Sequence, residues 1–210
     1  ILMFGGKGKE VIYPNPGFPI YESVINYSGA KAIPIKLDIS NNFKINFSQL
    51  EDSITKNTTL LILNFPSNPT ARICTKDFYK EIVSYAIKRD IIILSDLAYS
   101  EIYFNEDDKP ASILEIERSK EIAVEFTSMS KTFSMPGWRM GFAVGNEYLI
   151  SALTRIKSYL DYGAFTPIQV ASVTALNSDE KIIDDIRKVY KERRDISVSY
   201  THLTLPTTCT

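Results

Sequence analysis

Several residue types that mark a chemical class are scarce in this sequence of 210 residues. It has two cysteines, Cys74 and Cys209, and one histidine, His202. Two cysteines make neither a disulfide framework nor the ligand cluster of a metal site, and their scarcity fits a reducing compartment. We therefore expect a cytoplasmic protein without a metal site.

An excess of one charge and long apolar runs are also missing. The 24 basic and 25 acidic residues leave a net charge of −1, so no clustered basic face is expected to bind nucleic acid phosphates. No apolar run approaches the roughly 20 residues that a membrane-crossing helix needs. Nucleic acid and membrane are both discounted as partners.

The residues that are present predict a globular chain. Hydrophobic residues make up 44% and aromatic residues 11%, enough for a sizeable core in one domain. The first residue is not methionine and lies inside an apolar run, which favours a chain that starts within a longer protein.

The last residues have a different character. After a charged helical pattern, "SVSYTHLTLPTTCT" contains no charged residue. Residues 198–207 look like the in-frame translation of a sequencing adapter, so residues 198–210 are interpreted as a non-native tail; a genuine terminal strand is the alternative. Residues 1–197 are then one partial domain without a histidine, in which lysine, tyrosine or carboxylates must carry any acid-base chemistry.

Apolar runs bounded by turn residues predict six strands, most of them buried on both faces. They cover residues 11–13, 32–35, 59–65, 91–94, 122–126 and 141–144. The third, fourth and fifth runs are about 30 residues apart, which is the length of a strand-helix-strand unit. The predicted fold class is α/β, with a mostly parallel sheet covered by helices.

Helical periodicity fills several gaps between these runs. Residues 75–90 predict a helix capped by Thr75, and a second helix follows residue 148. Thr166, Pro167 and Gln169 form the pattern of a capping box for a third helix. A fourth amphipathic helix is predicted to end near Ile196.

Polar residues follow three of the predicted strands. "PSNPTA" follows the third run, "SDLAY" the fourth and "TSMSK" the fifth. The carboxyl ends of parallel strands meet at one edge of a sheet, where open α/β sheets bind ligands. We therefore expect one pocket that contains Asn68, Asp96, Tyr99, Ser128, Ser130 and Lys131, with Arg139 close by.

Each of these residues also has an ordinary interpretation. Asn68 before Pro69 is a common turn former, Asp96 and the two serines are suitable helix caps, and an isolated lysine or arginine is usually solvated or ion-paired. Their joint placement at strand ends is what favours a functional site.

Four segments occur in this order along the chain: "YPNPGFPIY", "NFPSNPTA", "SDLAYSEI" and "SMSKTFSMPGWRMG". Their order and spacing resemble the aspartate aminotransferase superfamily, whose members are fold type I enzymes that use pyridoxal phosphate (PLP). The resemblance covers residues 1–197.

The resemblance implies a role for each residue of the expected pocket. Lys131 is the Schiff-base lysine and later the proton carrier, as suits an amine held beside a cofactor. Asp96 pairs with the pyridine nitrogen, which keeps the ring electron-withdrawing. Tyr99 and Asn68 hydrogen-bond the ring oxygen. The remaining cofactor contacts come from the phosphate ligands Ser128 and Arg139, the weaker candidate Ser130, and Phe18, which stacks on the ring.

The chain departs from the family pattern at one position. Ala71 replaces a glycine after "NPT", which costs about 1 kcal/mol if the position needs a positive φ. The glycine-rich phosphate loop, the small domain and its carboxylate-binding arginine are not in the sequence. The family's homodimer, in which each partner completes the other's site, further implies that the 210-residue segment is inactive alone.

The resemblance predicts an aminotransferase that acts on an α-amino acid and a 2-oxo acid. "SMPGWRMGF" and "DYGAFTPIQVA" are most similar to the alanine or glutamate-pyruvate branch, with aspartate and LL-diaminopimelate aminotransferases next. A PLP-dependent C–S lyase and the aminotransferase-like sensor domain of a transcriptional regulator remain as alternatives.

Overall fold

A computed structural model describes residues 1–201, and its centre is one six-stranded sheet. The strands are β1 Glu10–Asn15, β2 Lys31–Lys36, β3 Thr58–Asn64, β4 Ile92–Asp96, β5 Ala123–Ser128 and β6 Gly141–Gly145. Their order is β2-β1-β3-β4-β5-β6. Every neighbouring pair is parallel except β5 and β6, which are antiparallel. The prediction of a mostly parallel α/β fold is confirmed, and each predicted apolar run overlaps one strand.

Seven helices surround this sheet in the described residues. They are α1 Ile20–Tyr27, α2 Phe47–Ser53, α3 Lys76–Arg89, α4 Met129–Thr132, α5 Glu147–Leu160, α6 Thr166–Leu176 and α7 Lys181–Thr201. The predicted cap of α3 is present, since the Thr75 hydroxyl accepts a hydrogen bond of 3.2 Å from the backbone N–H of Phe78.

The central strands are buried on both faces because their alternate residues face two separate cores. Ile12 and Leu61 belong to the core that includes Ile82 of α3. Val11 and Leu60, their neighbours along the strands, belong to the core that includes Tyr21 and Ile25 of α1. Burial on both sides fixes the strand register, because a slip of one residue would exchange the two faces. The ends of β3, β4 and β5 are therefore held in fixed positions.

Two predictions about local structure are wrong. Thr166 does not cap α6: Phe165 occupies the cap position, and the Gln169 side chain donates instead to the carbonyl of Ala164 at 2.6 Å. The connection from β4 to β5 contains short 3-10 turns and no α-helix, because its run of turn-forming residues, including Pro110, interrupts helical periodicity.

The predicted tail begins inside the last helix. α7 continues past residue 198 to Thr201, while residues 202–210, including His202 and Cys209, lie outside the described part of the chain. The division at residue 197 stays a prediction. Within residues 1–201, no helix combines the length and the apolar character that crossing a bilayer demands.

Candidate active site

The strand register brings three polar strand ends to one edge of the sheet. Asn64 of β3 lies beside Asp96 of β4, and Asp96 lies beside Phe126 of β5. The chain leaves each strand at this level, so the segments that contain Asn68, Tyr99 and Lys131 start from adjacent points.

A cavity of about 210 Å³ opens at this edge. All eight residues proposed from the sequence line it, and so do three others. The lining residues are Phe18, Tyr21, Asn64, Asn68, Asp96, Ala98, Tyr99, Ser128, Ser130, Lys131 and Arg139. The fold therefore brings together the groups that the sequence predicted for one pocket. They are an amine, a carboxylate, a guanidinium, a phenol and hydroxyls.

Asp96 is held at both of its carboxylate oxygens. The hydroxyl of Tyr21 donates a hydrogen bond of 2.6 Å to Oδ2, and the backbone N–H of Ala98 donates one of 3.2 Å to Oδ1. Burial raises the pKa of Tyr21 above its ordinary value, and the charge of Asp96 raises it further. Tyr21 is therefore a protonated donor at neutral pH, and the carboxylate it faces has a fixed direction.

Lys131 enters the pocket from a short helix that starts where β5 ends. The hydroxyl of Ser128 caps this helix by accepting a hydrogen bond of 3.2 Å from the N–H of Ser130. Lys131 is partly buried, and its Nζ lies 5.6 Å from the ring centroid of Tyr99. Ser128 thus has the structural role of a cap, as its ordinary interpretation expected, and also faces the cavity.

Arg139 closes the other end of the pocket. Its Nη1 donates a hydrogen bond of 2.8 Å to the carbonyl of Pro136, and its backbone has a φ of 53°. That left-handed conformation costs about 1 kcal/mol for a residue with a side chain. Arg139 is exposed, and its guanidinium has further donors for an anion at the cavity.

Phe18 is placed by a turn that only glycine allows. A Cβ on Gly17 would overlap the carbonyl oxygen of Pro14, so a larger residue would displace the turn between β1 and α1. Phe18 is 43% exposed at the cavity, and its ring meets that of Tyr21 edge to face with centroids 5.9 Å apart.

Asn68 is connected to the rest of the site through Asn64. The side chain oxygen of Asn64 accepts a hydrogen bond of 2.9 Å from the N–H of Asn68, while its amide nitrogen donates one of 3.0 Å to the carbonyl of Asp96. Asn64 is only 2% exposed. One buried side chain thus joins the segments that follow β3 and β4.

Tyr21 and Asn64 line the site but were not among the residues proposed from the sequence. Tyr21 ends the segment "YPNPGFPIY", three residues after Phe18. A helix predicted at this point would have placed the two side chains on the same side. Asn64 was assigned to the interior of a strand that reached residue 65, whereas β3 ends at Asn64 itself.

The condition that the sequence analysis set for Ala71, a positive φ, is met. Its φ is 55°, and its N–H donates a hydrogen bond of 2.8 Å to the carbonyl of Ser67 in a tight turn. Alanine in this left-handed conformation is strained where glycine is not.

Comparison with known proteins agrees with this fold. The family described as "Aminotransferase class I and II" matches residues 1–205. The chain belongs to the class I and II aminotransferases. Members of this family are PLP-dependent enzymes.

Individual relatives of this aminotransferase chain cover most of its length. It is 55% identical over 194 residues to the protein AatC of Rhizobium meliloti (strain 1021), which is named as an aminotransferase; the match covers 91% of this chain and 47% of that protein. It is 40% identical over 200 residues to the glutamate-pyruvate aminotransferase AlaC of Escherichia coli (strain K12), covering 93% of this chain and 47% of that protein.

The solved structures show the same fold at greater distance. The substrate-bound BacF structure from Bacillus subtilis has a TM-score of 0.87 and 34% identity, and the match covers 92% of this chain and 49% of that one. The chain thus spans about half the length of the relatives it matches.

The residues of the cavity fit PLP by their chemistry. Lys131 offers a primary amine, Arg139 offers a planar donor for phosphate oxygens, and the fixed carboxylate of Asp96 offers an acceptor for a ring N–H. The cavity of about 210 Å³ adjoins a larger one of about 560 Å³, because Asn68 and Tyr99 line both. The described residues therefore include a group suited to the aldehyde, the phosphate and the ring nitrogen of the cofactor, with space beside them.

Proposed function

We propose that the protein is a PLP-dependent aminotransferase that transfers an amino group between an α-amino acid and a 2-oxo acid. The observation that carries the proposal is the single cavity lined by Lys131, Asp96 and Arg139 in a chain of the class I and II aminotransferase family.

The cofactor contacts follow from the chemistry of each side chain. Arg139 and the Ser128 hydroxyl would bind the phosphate, with Ser130, which is buried and lines the same cavity, as a further candidate. Phe18 would pack against the ring, and Asn68 and Tyr99 would hydrogen-bond the ring oxygen.

Catalysis depends on an amine and a carboxylate. Bound PLP supplies an aldehyde carbon that condenses with amines and a pyridine ring that withdraws electrons. Lys131 would hold the cofactor through its amine, and the same amine would move a proton at the substrate α-carbon. Asp96 would hold a proton on the ring nitrogen and so maintain the electron-withdrawing character of the ring.

The amino acid substrate binds in the adjoining cavity of about 560 Å³. This volume lies within the range of small-molecule sites. Asn68 lines both cavities, which supports a contact with the substrate carboxylate. We propose the alanine or glutamate-pyruvate type of substrate first. The relatives include an enzyme named for glutamate-pyruvate transfer and several named for LL-diaminopimelate, which makes the latter the next candidate.

The proposal includes a homodimer in the cytoplasm. Large apolar side chains are exposed around the start of α6, with Tyr162 94% and Phe165 71% exposed, and such side chains suit a surface that another subunit covers. Light scattering of the protein expressed from its complete reading frame tests this: a dimer mass is expected, and a monomer mass at all concentrations contradicts it.

The activity is tested with PLP, an amino acid and 2-oxoglutarate. We expect glutamate to form in step with the 2-oxo acid derived from the donor. Pyruvate and ammonia without glutamate would instead identify a C–S lyase. No product with any proteinogenic amino acid or LL-diaminopimelate would contradict the proposal.

A further inference from the structure

The strongest unassigned feature of the site is the hydrogen bond between Tyr21 and Asp96. It joins residues 75 positions apart and measures 2.6 Å between the Tyr21 hydroxyl oxygen and Oδ2. Tyr21 is 4% exposed and packs in the core formed by β1, β3 and α1. The Tyr21 ring cannot leave this position without opening that core. The position of its hydroxyl is therefore fixed relative to the sheet.

The Tyr21 hydroxyl differs from the other titratable groups around Asp96 in its position and its charge. Besides Tyr21, the titratable side chains that line the cavity with Asp96 are Tyr99 on the same segment, Lys131 of α4 and Arg139 after it. Tyr21 approaches from α1, on a different element, and burial keeps its hydroxyl protonated. A neutral donor stabilises the carboxylate and fixes its orientation but leaves its negative charge in place. A cation in the same position would neutralise that charge.

The main chain of Asp96 is fixed separately. Asn64 donates to its carbonyl, and the N–H of Leu97 donates a hydrogen bond of 2.8 Å to the carbonyl of Phe126 in β5. The backbone on both sides of the Asp96 side chain is therefore held without Tyr21. The carboxylate itself is held at Oδ1 by the N–H of Ala98, and Tyr21 adds the hydrogen bond that fixes Oδ2.

We infer that Tyr21 is a positioning residue that orients the Asp96 carboxylate toward the ring nitrogen of the cofactor. The inference rests on the proposed function, since it assigns to Tyr21 an effect on PLP that acts through Asp96. Tyr21 touches neither the reacting atoms nor the substrate in this role. Its removal should thus change how PLP is bound and protonated more than how the chain folds.

The test compares PLP binding in the protein from its complete reading frame and in its Tyr21→Phe variant. Phenylalanine keeps the buried ring and removes only the hydroxyl. Loss of a hydrogen bond to a charged group should weaken PLP binding about tenfold, measured by fluorescence titration. The visible spectrum of the bound cofactor should also change, because the charge at the ring nitrogen affects the absorption of the conjugated ring.

A double-mutant cycle separates positioning from packing. In the Asp96→Ala background, Tyr21→Phe should have no further effect on PLP affinity, because the carboxylate through which it acts is gone. The matched control is Tyr13→Phe, which removes the hydroxyl of another buried tyrosine. Tyr13 is 6% exposed and belongs to the same core as Tyr21. That control should bind PLP with unchanged affinity and spectrum.

Two results would overturn the inference while leaving the proposed function intact. One is a Tyr21→Phe variant with the affinity and spectrum of the unaltered protein. The other is an equal loss of affinity with and without Asp96, which would assign Tyr21 a packing role alone. If the unaltered protein binds no PLP, the proposed function itself fails, and this inference with it.

Discussion

At the scale of single residues, the proposed role of Asp96 depends most on a fixed side-chain position. Its two oxygens are held by Tyr21 and Ala98, so its charge stays in one place beside the cavity. A fixed charge stabilises charge development in a reaction better than a mobile one, because it needs no reorganisation.

Asp96→Ala should slow turnover severely, by about a hundred- to a thousandfold, while PLP still becomes attached to Lys131. The expected cause is loss of the charge that holds a proton on the ring nitrogen. Steady-state assays measure the turnover, and mass spectrometry after reduction measures the attachment. Asp77→Ala, at an exposed position of α3, is the control and should retain full activity. Unchanged turnover in Asp96→Ala would remove the role assigned to this carboxylate.

Ala71 gives a prediction about stability. Since its φ is 55°, Ala71→Gly should relieve strain and raise the free energy of unfolding by about 1 kcal/mol. Ala152→Gly in α5 is the matched control, and it should lower stability by about the same amount because helix interiors favour alanine. Thermal unfolding compares the three proteins, and a lower midpoint for Ala71→Gly would contradict the strain argument.

At the scale of structural elements, α7 is attached to the segment that follows Tyr99. Arg187 of α7 lies 3.6 Å from a carboxylate oxygen of Glu101, and its guanidinium lies 4.3 Å from the ring centroid of Tyr103. These contacts join the last described helix to the chain that leaves the site.

Arg187→Ala should therefore destabilise this attachment by about 1–2 kcal/mol, through loss of an ion pair and a cation–π contact. We expect faster hydrogen exchange in residues 99–104, measured by mass spectrometry. Its neighbour Lys188, whose side chain is 70% exposed, supplies the control Lys188→Ala with no change in that segment. Equal exchange rates in both variants would show that α7 is held by other contacts.

The start of β1 carries a pH-dependent contact. Glu10 accepts a hydrogen bond of 2.6 Å from Thr55 and lies 3.3 Å from Nζ of Lys31. The hydrogen bond from Thr55 and the charge of Lys31 lower the pKa of Glu10. A lowered pKa in the folded state means that this stabilisation is present at neutral pH and is lost as the pH falls below about 4.

Glu10→Gln should accordingly reduce the loss of stability on acidification. The expected result is a smaller fall in the unfolding midpoint between about pH 6 and pH 3 than in the unaltered protein. An identical pH dependence in the two proteins would show that Glu10 makes no net contribution.

The sequence predicts some of these elements and misses others, and the difference has a physical cause. The buried strands were found because short apolar runs between turn residues are typical of strands covered on both faces, and α3 because its cap and periodicity agree. α1 and α2 were missed since seven or eight residues give too little periodicity. The site residues after β3, β4 and β5 were found by their position at strand ends, whereas the bond from Tyr21 to Asp96 depends on a contact between distant segments that no local pattern contains.

At the scale of the whole molecule, the cavity proposed to bind the cofactor lies at one sheet edge, and apolar side chains are exposed elsewhere in the described residues. The chain spans about half the length of its relatives, so the complete reading frame is the material on which the activity must be measured.

The central claim is that the amine of Lys131 binds PLP covalently. The protein from its complete reading frame is mixed with PLP, reduced with borohydride and digested, and its peptides are mapped by mass spectrometry. The account predicts one pyridoxyl label, on Lys131, and no label in Lys131→Ala. A label on another lysine, or no label in the unaltered protein, would contradict it.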